Sequence, residues 1–145
     1  MLDKYFDEVE VGVRAISRGR TITEADLVMF SAFSGDWYPL HTDSEYAAKT
    51  VFGRRIAHGM LVMSVATGLI PMEPGVVVAF YGMDKVRFTA PTFIGDTIRV
   101  ETEVLDKFDK GAFGVITVRQ EIKNQRNEVC STATLKVALN KKPVQ

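Results

Sequence analysis

The stretch that decides the fold is Gly59–Met72, which reads GMLVMSVATGLIPM. Its apolar residues would lie on almost every side of a helix, and a helix of that kind has to be surrounded by protein. It is shorter than the ~18 residues that a membrane span requires, and the polar Ser64 and Thr67 interrupt it. The stretch therefore predicts a helix in the core of the molecule, which Pro71 and Pro74 bring to an end.

After Pro74 the pattern changes to that of β-strands. Val76–Phe80 is a continuous apolar run, and in Ile98–Val104 apolar residues alternate with polar or charged ones. In Val129–Leu139 the apolar residues share one parity, which places them on one face of a strand. Further strand signals and the turns between strands follow in Val86–Thr89, Val115–Ile122, Pro91–Asp96, Asp106–Gly111 and Asn124–Asn127. Because consecutive strands joined by short turns favour antiparallel pairing, we predict an α+β domain with one buried helix on one face of an antiparallel sheet.

Another helix is predicted before the core helix. Thr23 is suited to be its N-cap, and Asp26, three residues later, completes a capping-box pattern. Apolar residues recur at helical spacing as far as Phe33, and Ser34–Gly35 ends the helix. Upstream of it, Val11–Thr21 carries only weak strand signals.

The connection between these two helices contains a short helix of its own. Glu45–Ala48 has helical character, and either Asp43 or Ser44 can cap it. Val51–Ala57 then predicts a loop that carries two neighbouring arginines before the core helix begins.

Length and composition limit the kinds of protein that this can be. The chain is most simply one domain over residues 1–145, and its 18 lysines and arginines balance 18 aspartates and glutamates. A formal net charge of zero gives no electrostatic reason to expect nucleic acid or a membrane as a partner. Cys130 is the only cysteine, so no internal disulfide can form, and Met1–Asp7 lacks the pattern of a secretory signal. These features are typical of a cytoplasmic protein.

The connection also holds the residues with the clearest chemistry. Asp36–His41 reads DWYPLH, so a carboxylate and an imidazole lie five positions apart with Pro39 between them. Such a pair can move protons on and off a water molecule, because an imidazole titrates near neutral pH. The other histidine, His58, stands just before the core helix. No zinc-like ligand spacing occurs, and no nucleophile elbow surrounds Ser34 or Ser64.

Four short motifs carry a resemblance to a known family. They are SGDxxPLHxD at Ser34–Asp43, FG at Phe52–Gly53, IxHGML at Ile56–Leu61 and PxFxGD at Pro91–Asp96. The segment from about Phe30 to Pro71, which holds the first three, resembles the MaoC-like dehydratases, a family that includes the (R)-specific enoyl-CoA hydratases. The order of the predicted elements is similar to that family over nearly the whole chain.

The resemblance implies the hot-dog fold, an antiparallel sheet wrapped around a long central helix. It also implies a hydro-lyase reaction, the reversible hydration of a trans-2-enoyl thioester to the (R)-3-hydroxyacyl thioester. Asp36 and His41 would hold one water between them and pass its hydroxyl to C3 and a proton to C2. The backbone N–H of Gly59 would face the thioester carbonyl. No metal or cofactor is implied, since coenzyme A is part of the substrate, and a homodimer or higher homo-oligomer is expected.

Further residues are expected to bind the substrate. Thr67 matches a position on the central helix that helps the site in the family. Tyr38 stands where the family usually has asparagine, and its hydroxyl could substitute for the amide or reach the substrate. Two roles stay open for Arg54 and Arg55, which could meet the phosphates of coenzyme A or form a solvated loop face. His58 could contact the substrate or only hold the loop beside the site.

Other functions are compatible with the same fold. One is an acyl-CoA thioesterase, and another is a non-catalytic subunit that binds acyl-CoA. A thioester of acyl carrier protein is an alternative substrate to a coenzyme A ester.

Overall fold

The computed structural model describes residues 1–144, and its main feature is one antiparallel sheet. Its strands are β1 (Arg14–Ile16), β2 (Arg20–Thr21), β3 (Val77–Phe88), β4 (Thr97–Asp109), β5 (Phe113–Lys123) and β6 (Val129–Asn140). The order in the sheet is β1-β4-β5-β6-β3, and β2 also pairs with β4. The strand pairs are antiparallel, as the short turns predicted.

The helices are α1 (Glu24–Ser34), α2 (Pro39–Thr42), α3 (Ser44–Ala47) and α4 (Gly59–Leu69), and Phe6–Glu8 forms a turn of 3-10 helix. Both predicted ends of α1 are confirmed. The Thr23 hydroxyl accepts from the Asp26 N–H (3.3 Å), and the Asp26 carboxylate accepts from the Thr23 N–H (2.8 Å). Gly35 ends the helix with a φ of 79°, a conformation that glycine adopts without strain. Within residues 1–144, no helix has both the length and the apolar character needed to cross a membrane.

Helix α4 packs on the inner face of the sheet. Its buried residues share one hydrophobic cluster with inward-facing residues of the strands, such as Ile98, Val100 and Val104 of β4. The helix begins at Gly59, as predicted. It ends at Leu69, because the next residue takes an extended conformation immediately before Pro71.

The prediction that α4 is surrounded on every side is wrong for the single chain. Met60 is 59% exposed, and Ser64, Thr67 and Gly68 are also exposed. The physical reason is that the sheet covers one side of the helix, which leaves the opposite side open.

The connection from α1 to α4 is more helical than its sequence predicted. Pro39 opens α2, a single helical turn, because proline is favoured at the first position of a helix. Tyr38 before it is extended (φ −55°, ψ 134°), as expected for a residue that precedes proline. Asp43 then caps α3 by accepting from the N–H groups of Glu45 (2.9 Å) and Tyr46 (3.0 Å).

Candidate active site

Asp36 stands on a tight turn directly after α1. The Ser34 hydroxyl donates to the Phe30 carbonyl (2.7 Å) and accepts from the Asp36 N–H (3.2 Å), so the end of the helix leads straight into the turn. Oδ1 of Asp36 accepts from the Tyr38 N–H (3.2 Å). Backbone contacts therefore orient this exposed carboxylate.

His41 lies on α2, and its ring has a defined protonation pattern. Nδ1 is 2.8 Å from the carbonyl oxygen of Ile56. Because a carbonyl oxygen only accepts hydrogen bonds, Nδ1 carries the proton and donates it. In the neutral ring Nε2 is left with its lone pair, which is the form that a general base needs.

His58 links the turn to the start of α4. It is only 2% exposed, and its Nε2 lies 3.1 Å from the Asp36 carbonyl oxygen and 3.1 Å from the Ser31 hydroxyl. Its ring also stacks on that of His41, with the centroids 4.0 Å apart and 27° between the planes. One buried side chain thus contacts both Asp36 and His41.

The surroundings of His58 favour its neutral form. Burial lowers the pKa of His58 below its ordinary value, and the hydrogen bond with the Asp36 carbonyl opposes this only in part. The carbonyl requires the proton on Nε2, so Nδ1 carries the lone pair. That Nδ1 is buried and has no hydrogen-bond partner within the described chain.

The N-terminus of α4 has donors to offer. His58 is the N-cap residue, but its side chain makes no capping hydrogen bond to a backbone N–H of α4 within residues 1–144. The first N–H groups of a helix lack partners within it and carry partial positive charge. The N–H groups of Gly59 and Met60 can therefore donate to an atom bound beside them.

One cavity of about 390 Å³ brings these groups together. Asp36, His41, His58 and Gly59 line it, so four residues that the sequence singled out meet at one place. The volume lies within the range of about 300–1,000 Å³ that is usual for small-molecule sites. The rest of the wall is mostly apolar and is formed by Phe52, Ile56, Ala57, Met60, Val62, Phe88, Thr89, Ala90, Pro91, Thr92 and Cys130.

Some of these wall residues escaped the sequence analysis. Phe88 and Cys130 reach the cavity because β3 pairs with β6, where Phe88 is opposite Ser131. Their positions depend on long-range pairing, and neither has a local pattern that marks it. Burial raises the pKa of the Cys130 thiol, which argues against a role as a nucleophile.

The two arginines lie outside the cavity wall, although Arg55 also donates to the His41 carbonyl (3.4 Å). Arg55 donates to the Glu24 carboxylate (2.9 Å), and the Arg54 guanidinium is 3.8 Å from the centroid of the Phe93 ring. Both line a separate depression of about 320 Å³ together with Ser44, Gly53 and Ile94. Their contact with coenzyme A phosphates stays a prediction.

Tyr38 and Thr67 also lie outside the cavity wall. The Tyr38 hydroxyl is hydrogen-bonded to that of Tyr46 (3.1 Å), which raises the pKa of Tyr46. The Thr67 hydroxyl donates to the Met63 carbonyl (3.1 Å) and lines a small void of about 20 Å³ elsewhere on α4. The Tyr38 ring lies 6.2 Å from that of His41, between centroids, and the substrate contacts of Tyr38 and Thr67 stay predictions.

Asp36, His41 and His58 are also the residues that could hold a metal ion. One ligand atom from each lies within 4.8 Å of the others. Asp43, the other acid of the motif, uses Oδ1 to cap α3. The Nδ1–H of His41 and the Nε2–H of His58 are bonded to carbonyls, so only the remaining ring nitrogen of each histidine could bind an ion.

Fold and cavity together define a hot-dog domain in which a carboxylate and an imidazole line one cavity with the N-terminus of α4. Residues 10–128 match the family described as MaoC like domain. The chain therefore belongs to the MaoC-like domain family, as its motifs predicted.

Named relatives agree with this family. Protein MaoC of Klebsiella aerogenes is 44% identical over 99 residues, which is 67% of this chain but only 29% of that protein. An (R)-specific enoyl-CoA hydratase of Rhodospirillum rubrum is 39% identical over 103 residues, which is 69% of each chain. The predicted class, hydro-lyase, agrees with the name of this second relative.

Solved structures confirm the fold. A protein from Archaeoglobus, described as a monoamine oxidase regulatory protein, has a TM-score of 0.91 and 41% identity, covering 97% of this chain and 96% of that one. A Mycobacterium tuberculosis protein with a double hot-dog fold has a TM-score of 0.87 and 22% identity, covering 99% of this chain and 46% of that one. The predicted α+β hot-dog fold is confirmed, with α4 as its central helix.

Proposed function

We propose that this domain catalyses the reversible addition of water to a trans-2-enoyl-CoA, giving the (R)-3-hydroxyacyl-CoA. The observation that carries the proposal is the shared cavity of Asp36, His41 and the start of α4. The hydratase named above, with 39% identity over 69% of its length, supports the choice of reaction.

The protonation pattern of His41 supports the following steps. A water molecule between Asp36 and His41 gives one proton to His41 Nε2 as its oxygen bonds to C3 of the enoyl group. The electron pair of the C2=C3 bond moves toward the carbonyl and forms an enolate. The His41 imidazolium then returns the proton to C2, so the pair ends the cycle as it began. The Asp36 carboxylate orients the water and stabilises the imidazolium.

Charge that builds on the thioester oxygen needs a donor in place. The Gly59 N–H, at the start of α4, can fill that role, and removal of one such donor typically costs about 10²–10³ in rate. Proton transfer by a positioned acid or base contributes about 10²–10⁴. The proposed reaction requires no cofactor and no covalent intermediate, and the metal-free site remains a prediction, as does a cytoplasmic location.

We also propose that the domain acts as a homodimer. Strand β3 pairs only with β6 within residues 1–144, so its other edge is open. It carries the exposed apolar residues Val78, Phe80 and Tyr81, and Phe80 shares a small void with Thr67 on the open side of α4. A second copy of the chain would cover this apolar edge, which is otherwise prone to unspecific pairing. Sedimentation that shows only monomer at micromolar concentration would count against it.

The test of the reaction uses crotonyl-CoA and three readouts. Loss of the enoyl absorbance together with formation of the (R)-3-hydroxy product supports the hydratase. Release of free thiol instead would indicate a thioesterase. Tight binding of acyl-CoA with neither signal would indicate a non-catalytic subunit, and repeating the assay with crotonyl acyl carrier protein identifies the preferred carrier.

A further inference from the structure

Phe88, the last residue of β3, is held in place beside the start of α4. It is opposite Ser131 of β6, whose hydroxyl donates to the Arg87 carbonyl (3.0 Å). On the other side, the Thr89 N–H donates to the Cys130 carbonyl (2.9 Å). Because β6 holds the backbone before and after Phe88, the sheet fixes the position from which its ring extends.

The ring of Phe88 packs directly on Gly59. A Cβ atom at Gly59 would lie 2.7 Å from both Cε1 and Cζ of this ring, closer than real Cβ contacts occur. Gly59 is helical, a conformation open to any residue, so a side chain here would meet this ring rather than suffer backbone strain. Phe88 is still 53% exposed and lines the cavity, so part of its ring can contact a ligand.

This contact has a consequence that rests on the proposed function. If the Gly59 N–H binds the thioester oxygen, C1 of the acyl group lies next to Gly59, and C2 is bonded to C1. The Phe88 ring, in contact with Gly59, then forms the wall along C1 and C2. The far end of the acyl chain lies further away from the ring.

We propose that Phe88 is a specificity-determining residue that excludes a substituent on C2 and holds an unbranched thioester against Asp36 and His41. One extra or missing methylene in an apolar pocket typically changes discrimination between two substrates by about 10–200-fold. The ring thus disfavours acyl groups that are branched at C2. The preferred chain length is determined by other parts of the cavity wall.

The first test measures binding, so that it does not depend on turnover. Butyryl-CoA and isobutyryl-CoA are isomers that differ by a branch at C2, and calorimetry gives Kd for both. The wild-type protein should prefer butyryl-CoA by at least about tenfold. Phe88→Ala should lose most of that preference. The control is Phe108→Ala on β4, where the side chain is 62% exposed and lies outside the cavity wall.

Each result of the binding test either supports or overturns the proposed role of Phe88. The control should keep the wild-type preference. Equal binding of both isomers by the wild-type protein, absence of binding, or an unchanged preference in Phe88→Ala would overturn the proposal. A protein that binds as expected but does not hydrate crotonyl-CoA would refute the proposed reaction and leave the role of Phe88 standing.

The second test separates branching from chain length. In Phe88→Ala, kcat/KM for tiglyl-CoA relative to crotonyl-CoA should rise at least about tenfold, because tiglyl-CoA adds one methyl at C2. The ratio for trans-2-octenoyl-CoA to crotonyl-CoA should change much less. An equal change in both ratios would place the ring along the chain and contradict a wall at C2.

The third test addresses the contact itself. Gly59→Ala keeps the N–H but drives a methyl into the ring, so the melting temperature should fall. Adding Phe88→Ala should restore most of the loss, as expected for two residues in contact. A double variant that melts as low as the sum of the two single changes would show that the ring is not what requires glycine at this position.

Discussion

The turn Asp36–His41 and the loop Gly53–Arg55 both belong to the connection between α1 and α4, and both carry ionisable side chains. In the loop Arg55 pairs with the Glu24 carboxylate, and the Arg54 guanidinium lies over the Phe93 ring. In the turn, the hydrogen bonds that orient the side chains of Asp36 and His41 are made with backbone groups.

Because of this difference, Asp36 and His41 each keep a side-chain atom that is free to contact a ligand. Asp36 receives a hydrogen bond from the Tyr38 N–H, and His41 gives one to the Ile56 carbonyl. Both side chains are oriented, yet each keeps an atom that can bind a ligand. Ionisable groups that are held in place without being neutralised are the ones to test as catalysts, and the loop provides the contrast.

The largest effect is expected from the turn itself. Asp36→Asn or His41→Ala should lower kcat for crotonyl-CoA hydration by at least about 10², because either change removes a proton-transfer group. Folding should be intact, as judged by circular dichroism and melting temperature. The matched control is Asp106→Asn, an exposed aspartate on β4, which should have wild-type kcat. Near-normal kcat in either Asp36→Asn or His41→Ala would contradict the proposed mechanism.

A smaller effect is expected from His58, which is buried and donates to the Asp36 carbonyl in the turn. His58→Phe keeps a ring against His41 but leaves the Asp36 carbonyl without its buried donor. This should lower the unfolding free energy by about 1–3 kcal/mol. Urea denaturation at pH 7.5 measures the change, and an unaltered stability would show that the bond to Asp36 contributes little.

The lowered pKa of His58 predicts how the stability of the wild-type protein and of His58→Phe depends on pH. The pKa of His58 is lowered below its ordinary 6.5 in the folded protein, so the unfolded chain binds the proton more readily. Its contribution to stability is fully present above pH 6.5 and is lost as the pH falls toward the folded pKa. Wild-type stability should therefore decline below that pH, and His58→Phe should show a shallower decline. Parallel curves for both proteins would contradict this assignment.

For the loop we expect only a small change. Arg55→Ala removes a partly exposed ion pair with Glu24, so the unfolding free energy should fall by at most about 1 kcal/mol. The KM for crotonyl-CoA should stay close to wild type, because this guanidinium is occupied. A rise in KM of about tenfold or more, the size expected for a lost charged contact, would instead support the predicted role in binding coenzyme A phosphates.

The smallest effect is expected at Tyr38. Tyr38→Phe removes one exposed hydroxyl contact with Tyr46, and the stability change should be about 0.5 kcal/mol or less. The pKa of Tyr46 should fall toward its ordinary value, because the bond to Tyr38 is what raises it. Ultraviolet titration of the tyrosinates measures this shift. A large loss of kcat would show that the Tyr38 hydroxyl reaches the substrate.

Local signals predicted the parts of the fold that depend on neighbouring residues. The capping pair Thr23 and Asp26, the stop at Gly35 and the start of α4 at Gly59 all follow from short-range rules, and all are observed. The meeting of Asp36 with Gly59 was predicted by family resemblance, since no spacing rule joins them.

The remainder depends on long-range contacts, which a single sequence does not display. Phe88 enters the cavity wall only through the pairing of β3 with β6. Nothing in the residue type tells that Arg55 meets Glu24, or that Thr67 bonds to its own helix at Met63. The open side of α4 was missed because apolar composition alone does not show which sides of a helix its own chain covers.

The bond from His41 Nδ1 to the Ile56 carbonyl has a stereochemical consequence. A half-turn of the imidazole about its Cβ–Cγ bond would bring Cδ2–H against that oxygen and forfeit the bond, so the ring keeps one orientation. Under the proposed mechanism, every cycle would start with the lone pair on the same nitrogen, facing the same side of the double bond. The handedness of the product would be set, in part, by a main-chain oxygen that never touches it.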